Sequence, residues 1–190
     1  MPLSYPFVSH IVSHTALLAL LLTPLAASAM DIWVSKTSDS LDGVCDADCS
    51  LSEAGVLANT PPGEHRLSLA AGTYALTLET LRGDEDRVFD EDENLHGDLD
   101  ITSTLEIIGA GSATSFIDGS QNDRILEVLS GASLRLRGLT LQNGFTSTAG
   151  GALLNLGHSV LEHVHLQNNR ASYGFHGGEG GAISNLGFFG

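Results

Sequence analysis

Nine Asp and Glu side chains fall between residues 84 and 100. Asp84, Glu85 and Asp86 come first, and Asp90, Glu91, Asp92, Glu93, Asn94, Leu95, His96, Gly97, Asp98, Leu99 and Asp100 follow. Oxygen donors alternate at Asp90, Asp92 and Asn94, Gly97 permits a turn, and Asp98 and Asp100 lie just beyond. Calcium takes about six to eight oxygen ligands in irregular geometry, so these five residues are the candidate ligands and calcium the candidate cofactor. The spacing departs from an EF-hand, which needs Gly at the sixth loop position and Glu at the twelfth. The competing reading is a solvated acidic loop that keeps the chain soluble.

Other reactive side chains are sparse. Cys45 and Cys49 are the only cysteines, an even count that predicts a disulfide in an oxidising compartment. The rival reading is a metal pair, but no further Cys or spaced His completes four ligands. His163 and His165 would share a face on a strand, without an evident third zinc ligand. Arg135 and Arg137 alternate with Leu134 and Leu136, so they point outward together. With Asp118 and Asp123 they are the one arrangement resembling the acids and base of a polysaccharide-cleaving site. The plainer reading makes Asp118-Gly119 a corner and the arginines a solvated face. No nucleophile triad is present, and Gly177-Gly178-Glu179-Gly180-Gly181 lacks the Lys-Ser or Lys-Thr of a phosphate loop. No catalytic residue is assigned.

These residues need a frame to hold them, and the sequence outlines one. The chain has 190 residues, 8 Lys and Arg against 23 Asp and Glu, and a formal charge of −15. That balance excludes a nucleic-acid binder and docking on anionic lipid. Ala16 to Leu22 is apolar and Ala27-Ser28-Ala29 offers small residues for a signal peptidase, so residues 1–29 read as a signal peptide cut before Met30. No Lys or Arg leads this stretch, only His10 and His14; a start at Met30 is the competing reading. No later segment is apolar enough to span a bilayer. Residues 30–100 hold 17 acids against 4 bases and residues 101–190 hold 6 against 4. An acidic head thus precedes a Gly-rich, nearly neutral body.

The body repeats. Thr140-Leu141-Gln142-Asn143 returns as His165-Leu166-Gln167-Asn168, an offset of 25. Gly150-Gly151-Ala152-Leu153-Leu154-Asn155 returns as Gly180-Gly181-Ala182-Ile183-Ser184-Asn185, an offset of 30. Leu105 to Gly109 is echoed by Leu134 to Gly138, an offset of 29. Short alternating segments between Gly and Asn corners, repeated at this period, predict an all-β solenoid, a right-handed parallel β-helix. Asn143 would sit above Asn168, and Asn155 above Asn185, as amide ladders that satisfy the bends, with ligand contact the competing role. Ser50-Leu51-Ser52-Glu53 forms a capping box opening a short helix that covers the first coil. The expected division is therefore a signal peptide (1–29), a cap and first coils with an acidic loop (30–100), and β-helix repeats (101–190).

Asp42 to Ala54, with Cys45, Cys49, Ser50, Leu51, Ser52, Glu53 and Ala54, resembles the CSLREA motif of exported bacterial right-handed β-helix proteins. Ala71 to Leu78, Gly97 to Thr102, Ile107 to Gly111 and Ile117-Asp118-Gly119 continue the likeness. The Gly-Gly-Ala repeats resemble those of polymorphic outer-membrane proteins. Ser52 and Gly55 depart from the motif, where the family has Arg and a branched aliphatic. The resemblance implies a secreted or cell-surface, adhesin-like scaffold; its flat solvent face would offer regular polar rows to a glycan or protein partner, and a non-enzymatic role is expected. A calcium-dependent, lyase-like carbohydrate enzyme remnant is the alternative. Such proteins usually carry more coils and an anchoring module, so a truncated chain whose last coil self-associates is also expected.

Overall fold

Alternation of apolar and polar residues turns directly into strands with one buried face. Leu67 and Leu69, Leu105 and Ile107, and Leu134 and Leu136 point inward, while the residues between them reach toward solvent. The computed structural model describes residues 29–60, 63–79, 92–172 and 180–190. Residues 1–28 of the expected leader and the first part of the acidic run, including Asp90, lie outside the described residues.

In chain order the elements are β1 (Asp31–Val34), α1 (Leu51–Asn59), β2 (Glu64–Leu69), β3 (Gly72–Ala75), β4 (Leu99–Ile101), β5 (Thr104–Gly109), β6 (Ser115–Asp118), β7 (Leu126–Val128) and β8 (Ser133–Arg137). There follow β9 (Thr140–Gln142), β10 (Phe145–Thr146), β11 (Leu153–Asn155), β12 (His158–Glu162), β13 (His165–Gln167), β14 (Arg170–Ala171), β15 (Ile183–Asn185) and β16 (Phe188–Phe189). The fold is therefore all-β apart from α1, and its strand pairings are parallel. The longest sheet runs β1-β2-β5-β8-β12-β16. Two four-stranded sheets run β3-β6-β9-β13 and β4-β7-β11-β15, and β10 pairs with β14.

The registers follow the sequence offsets. Leu141 pairs with Leu166, Leu153 with Ile183, and Leu105 with Leu134. Like residues thus stack at a strand spacing of ~4.8 Å. Leu67, Ile107 and Leu136 from the longest sheet join Ile117, Leu141, Leu126 and Leu153 in one apolar cluster, each of these fully buried. Each such side chain contributes about 1.5–3 kcal/mol by leaving water. Leu166 is more than a third exposed although its partner Leu141 is buried, because β13 is the edge of its sheet. No helix among the described residues is long and apolar enough to cross a membrane.

Helix α1 packs on β1, β2 and β4. Its start is the expected capping box: Ser50 Oγ accepts the Glu53 N–H at 3.1 Å, and Glu53 Oε2 accepts the Ser50 N–H at 2.8 Å. Gly55 lies on the buried side of the helix. A Cβ there would meet Leu99 Cδ2 at 3.2 Å and Asn94 Oδ1 at 3.4 Å, so the missing side chain lets the helix approach β4. Cys45 and Cys49 are disulfide-bonded, with Cα atoms 4.4 Å apart, and tighten the loop that leads into the cap.

Glu53 is the hub of this region. Burial alone would push its carboxyl up. Hydrogen bonds from the Ser50 N–H, the Ser40 hydroxyl and the Asp42 N–H, helped by Lys36, hold it below the ordinary glutamate range instead. A carboxylate with a depressed native pKa contributes stability above its unfolded value, near 4.5. That contribution disappears as pH falls through the native value. Glu53→Gln should therefore lose roughly 1–3 kcal/mol at neutral pH. Its stability should also decline less steeply than the parent's between pH ~5 and ~3, read by urea unfolding.

Candidate functional site

Among the described residues, a cluster of titratable groups is buried on and beside the paired strands β4 and β7. Asp100 and Glu127 are direct cross-strand partners, and with Asp98 they bring one carboxylate oxygen each within 4.8 Å of the others. All three are buried. Arg124 lies among them: its Nη1 donates to Asp98 Oδ2 at 3.1 Å and to Glu127 Oε2, and its Nη2 donates to Thr148 Oγ1 at 3.4 Å. β4 and β7 consequently have no residue facing water, unlike the alternating strands of the longest sheet. Asp123 adds a carboxylate that accepts the Arg124 N–H at 2.7 Å.

This arrangement changes the reading of the acidic run. Asn94 clamps Asp100: its side chain donates to Asp100 O at 2.8 Å and accepts the Asp100 N–H at 2.7 Å. Asp92 is exposed and Asp90 lies outside the described residues. Asp98 and Asp100 do come together, but with Glu127 and around a guanidinium. Arg124 supplies a positive charge between Asp98 and Glu127, whose carboxylates lie with that of Asp100. Glu127 carried no motif; only its offset of 27 from Asp100, close to the repeat length, could have pointed to it.

The asparagines divide by role. Asn155 Nδ2 donates to Asn185 Oδ1 at 2.6 Å across paired strands, which is a ladder contact. Asn143 and Asn168 instead occupy left-handed corners, with φ of 57° and 56°. The Asn143 amide donates to Asp118 Oδ2 at 2.9 Å rather than to Asn168. Short polar side chains tolerate that backbone region better than other non-Gly residues. His163 also sits at a corner, φ 55°, while His165 is on β13, so the two imidazoles do not share a strand face.

Arg135 and Arg137 lie on the outer face of the longest sheet, as expected, but within a charge network. Arg135 pairs with Glu162 at 2.8 Å; Arg137 pairs with Glu162 at 3.0 Å and with Glu106 at 3.5 Å. Arg66 continues the network to Glu106 at 3.1 Å and Asp31 at 3.6 Å. Asp118 and Asp123 are not among the acids on this face, so the expected acid–base arrangement is not assembled. Next to the network lies a cavity of about 490 Å³. One wall is the row Glu64, Thr104, Ser133 and His158, and the other is the row Asp31, Arg66, Glu106 and Arg135. Trp33, the only tryptophan, lies two residues beyond Asp31 on the same face and is 72% exposed. Sequence reading passed over it because a lone aromatic carries no motif.

The chain matches no family model, no curated protein and no solved structure.

Proposed function

We propose that the chain is part of an exported, non-enzymatic right-handed parallel β-helix, a scaffold that presents its outer face to a partner at a cell surface. The observation that carries this reading is the register. Parallel strands pair at the same offsets by which the sequence repeats, Leu141 with Leu166 and Asn155 with Asn185. A coil wound so that each turn lies on the last places every strand beside its counterpart one repeat later. Helix α1 then covers the first coil, and the longest sheet becomes a continuous outer wall. The buried carboxylate–guanidinium cluster serves as an internal tie between layers, since its members are removed from solvent and a substrate would have to displace β4 contacts to reach them. The outer wall offers fixed rows of polar groups at strand spacing, the geometry of a binding surface. Reducing-sugar release from a panel of neutral and acidic polysaccharides tests the reading. No release above a heat-denatured control is expected, and sustained release would replace the scaffold with an enzyme.

A further inference from the structure

We propose that the cavity on the outer face of the longest sheet binds a neutral, extended, β-linked oligosaccharide lying across the strands, with Trp33 as its stacking platform; this rests on the scaffold reading and names its ligand class.

Charge makes the first selection. The chain as a whole carries −15, yet the wall row alternates Asp31, Arg66, Glu106 and Arg135 and its members are largely ion-paired. A polyanion would meet Glu64, Asp31 and Glu106, and a polycation would meet the two arginines. A neutral polyol meets no net repulsion. Its hydroxyls each donate and accept, so they can bridge a carboxylate and a guanidinium held at fixed separation. Thr104 and Ser133 add hydroxyls along the opposite wall.

Shape makes the second. The cavity falls within the range of about 300–1,000 Å³ typical of small-ligand sites. Its lining residues come from five strands, β1, β2, β5, β8 and β12, and the strand spacing of ~4.8 Å is close to the length of one pyranose unit in an extended chain. Successive sugars would thus meet successive strands with equivalent polar groups. Trp33 makes the third. Trp33 is the next outward-facing residue along β1 from Asp31, which lines the cavity, and its ring is exposed. The apolar CH face of a pyranose is chemically suited to stack on such a ring.

Because Trp33 is the sole tryptophan, its fluorescence reports the site directly. Titration of the folded chain with β-linked hexasaccharides of glucose, mannose and N-acetylglucosamine should change its emission saturably with at least one of them. Trp33→Ala, at an exposed position, should fold normally and lose about tenfold or more in affinity measured by calorimetry. Arg135→Ala should weaken the same interaction. An oligogalacturonate of equal length should bind more weakly. Absence of heat and of any emission change with all neutral hexasaccharides overturns the proposal, as does equal or tighter binding of the uronate or undiminished binding by Trp33→Ala. None of these failures involves bond cleavage, so the scaffold reading, tested by sugar release, stands or falls separately. Binding of a protein at this face in place of any sugar would also overturn the ligand assignment while leaving the scaffold intact.

Discussion

Replacing Arg124 with methionine is expected to lower the unfolding free energy by roughly 3–5 kcal/mol. The side chain is 2% exposed and its guanidinium contacts Asp98 and Glu127, themselves buried. Methionine keeps much of the stem's packing, so the loss isolates the charge. What remains is a region of buried carboxylates from which a positive charge has been stripped, and desolvated charge costs several kcal/mol per ion unless neighbours compensate it. The surface arginines give the contrast. Arg135 is half exposed in its pair with Glu162, and Arg135→Met should cost no more than ~1 kcal/mol. The double variant Arg124→Met/Glu127→Gln should recover part of the loss, because one carboxylate is neutralised together with its partner. Chemical denaturation followed by circular dichroism reads all three. A loss below ~1 kcal/mol for Arg124→Met would mean that the cluster tolerates the missing charge and is not an interlayer tie.

The contrast between these arginines also marks what could be read from the sequence. Arg135 and Arg137 lie inside a segment that repeats and alternates, Leu134 to Gly138 after Leu105 to Gly109, so their outward direction followed from strand periodicity alone. The same logic predicted that Leu141 would pair with Leu166 and that Asn155 would meet Asn185. Arg124 and Glu127 stand in or beside a strand that pairs in register with Leu99–Ile101 and Leu153–Asn155, but the sequence match among these is weak and the strand is only three residues long. Alternation over three residues cannot say that both faces are covered. The clamp made by Asn94 was hidden for a related reason. Its spacing from Asp98 and Asp100 suited a cation loop, but spacing does not reveal that an amide side chain can satisfy the N–H and C=O of one residue at once, as it does for Asp100. Asn143 and Asn168 repeat, which was legible. That they repeat as left-handed corners rather than as a ladder depends on backbone φ, on which the sequence is ambiguous for asparagine.

Glycines in the turns between strands set how closely neighbouring chain segments approach, and Gly144→Ala tests that directly. Gly144 lies between β9 and β10, where its N–H donates to Asn169 Oδ1 at 2.8 Å and its carbonyl accepts the Arg170 N–H at 2.8 Å. A Cβ there would run into the Gly151 carbonyl oxygen and approach Ile125 Cγ1 within 2.9 Å. The first obstacle is backbone, which cannot swing aside as a long side chain can. Its removal requires the Gly151 segment to shift, and a Cβ on Gly151 would in turn approach Arg170 O at 2.5 Å, so the strain passes between successive corners. Overpacking of this kind costs roughly 3 kcal/mol or more, at the upper end of such substitutions. For a chain of this size that is a fall of about 6–12 °C in Tm. Gly131→Ala separates space from backbone conformation. Gly131 has φ +89° with nothing within 4 Å of a would-be Cβ, so alanine there meets only the left-handed backbone penalty of about 1–2 kcal/mol. Thermal melts of the two variants should therefore rank Gly144→Ala well below Gly131→Ala. The reverse order would mean that layer contact at this corner is loose and that stacking is governed by the apolar interior, with the corners following it.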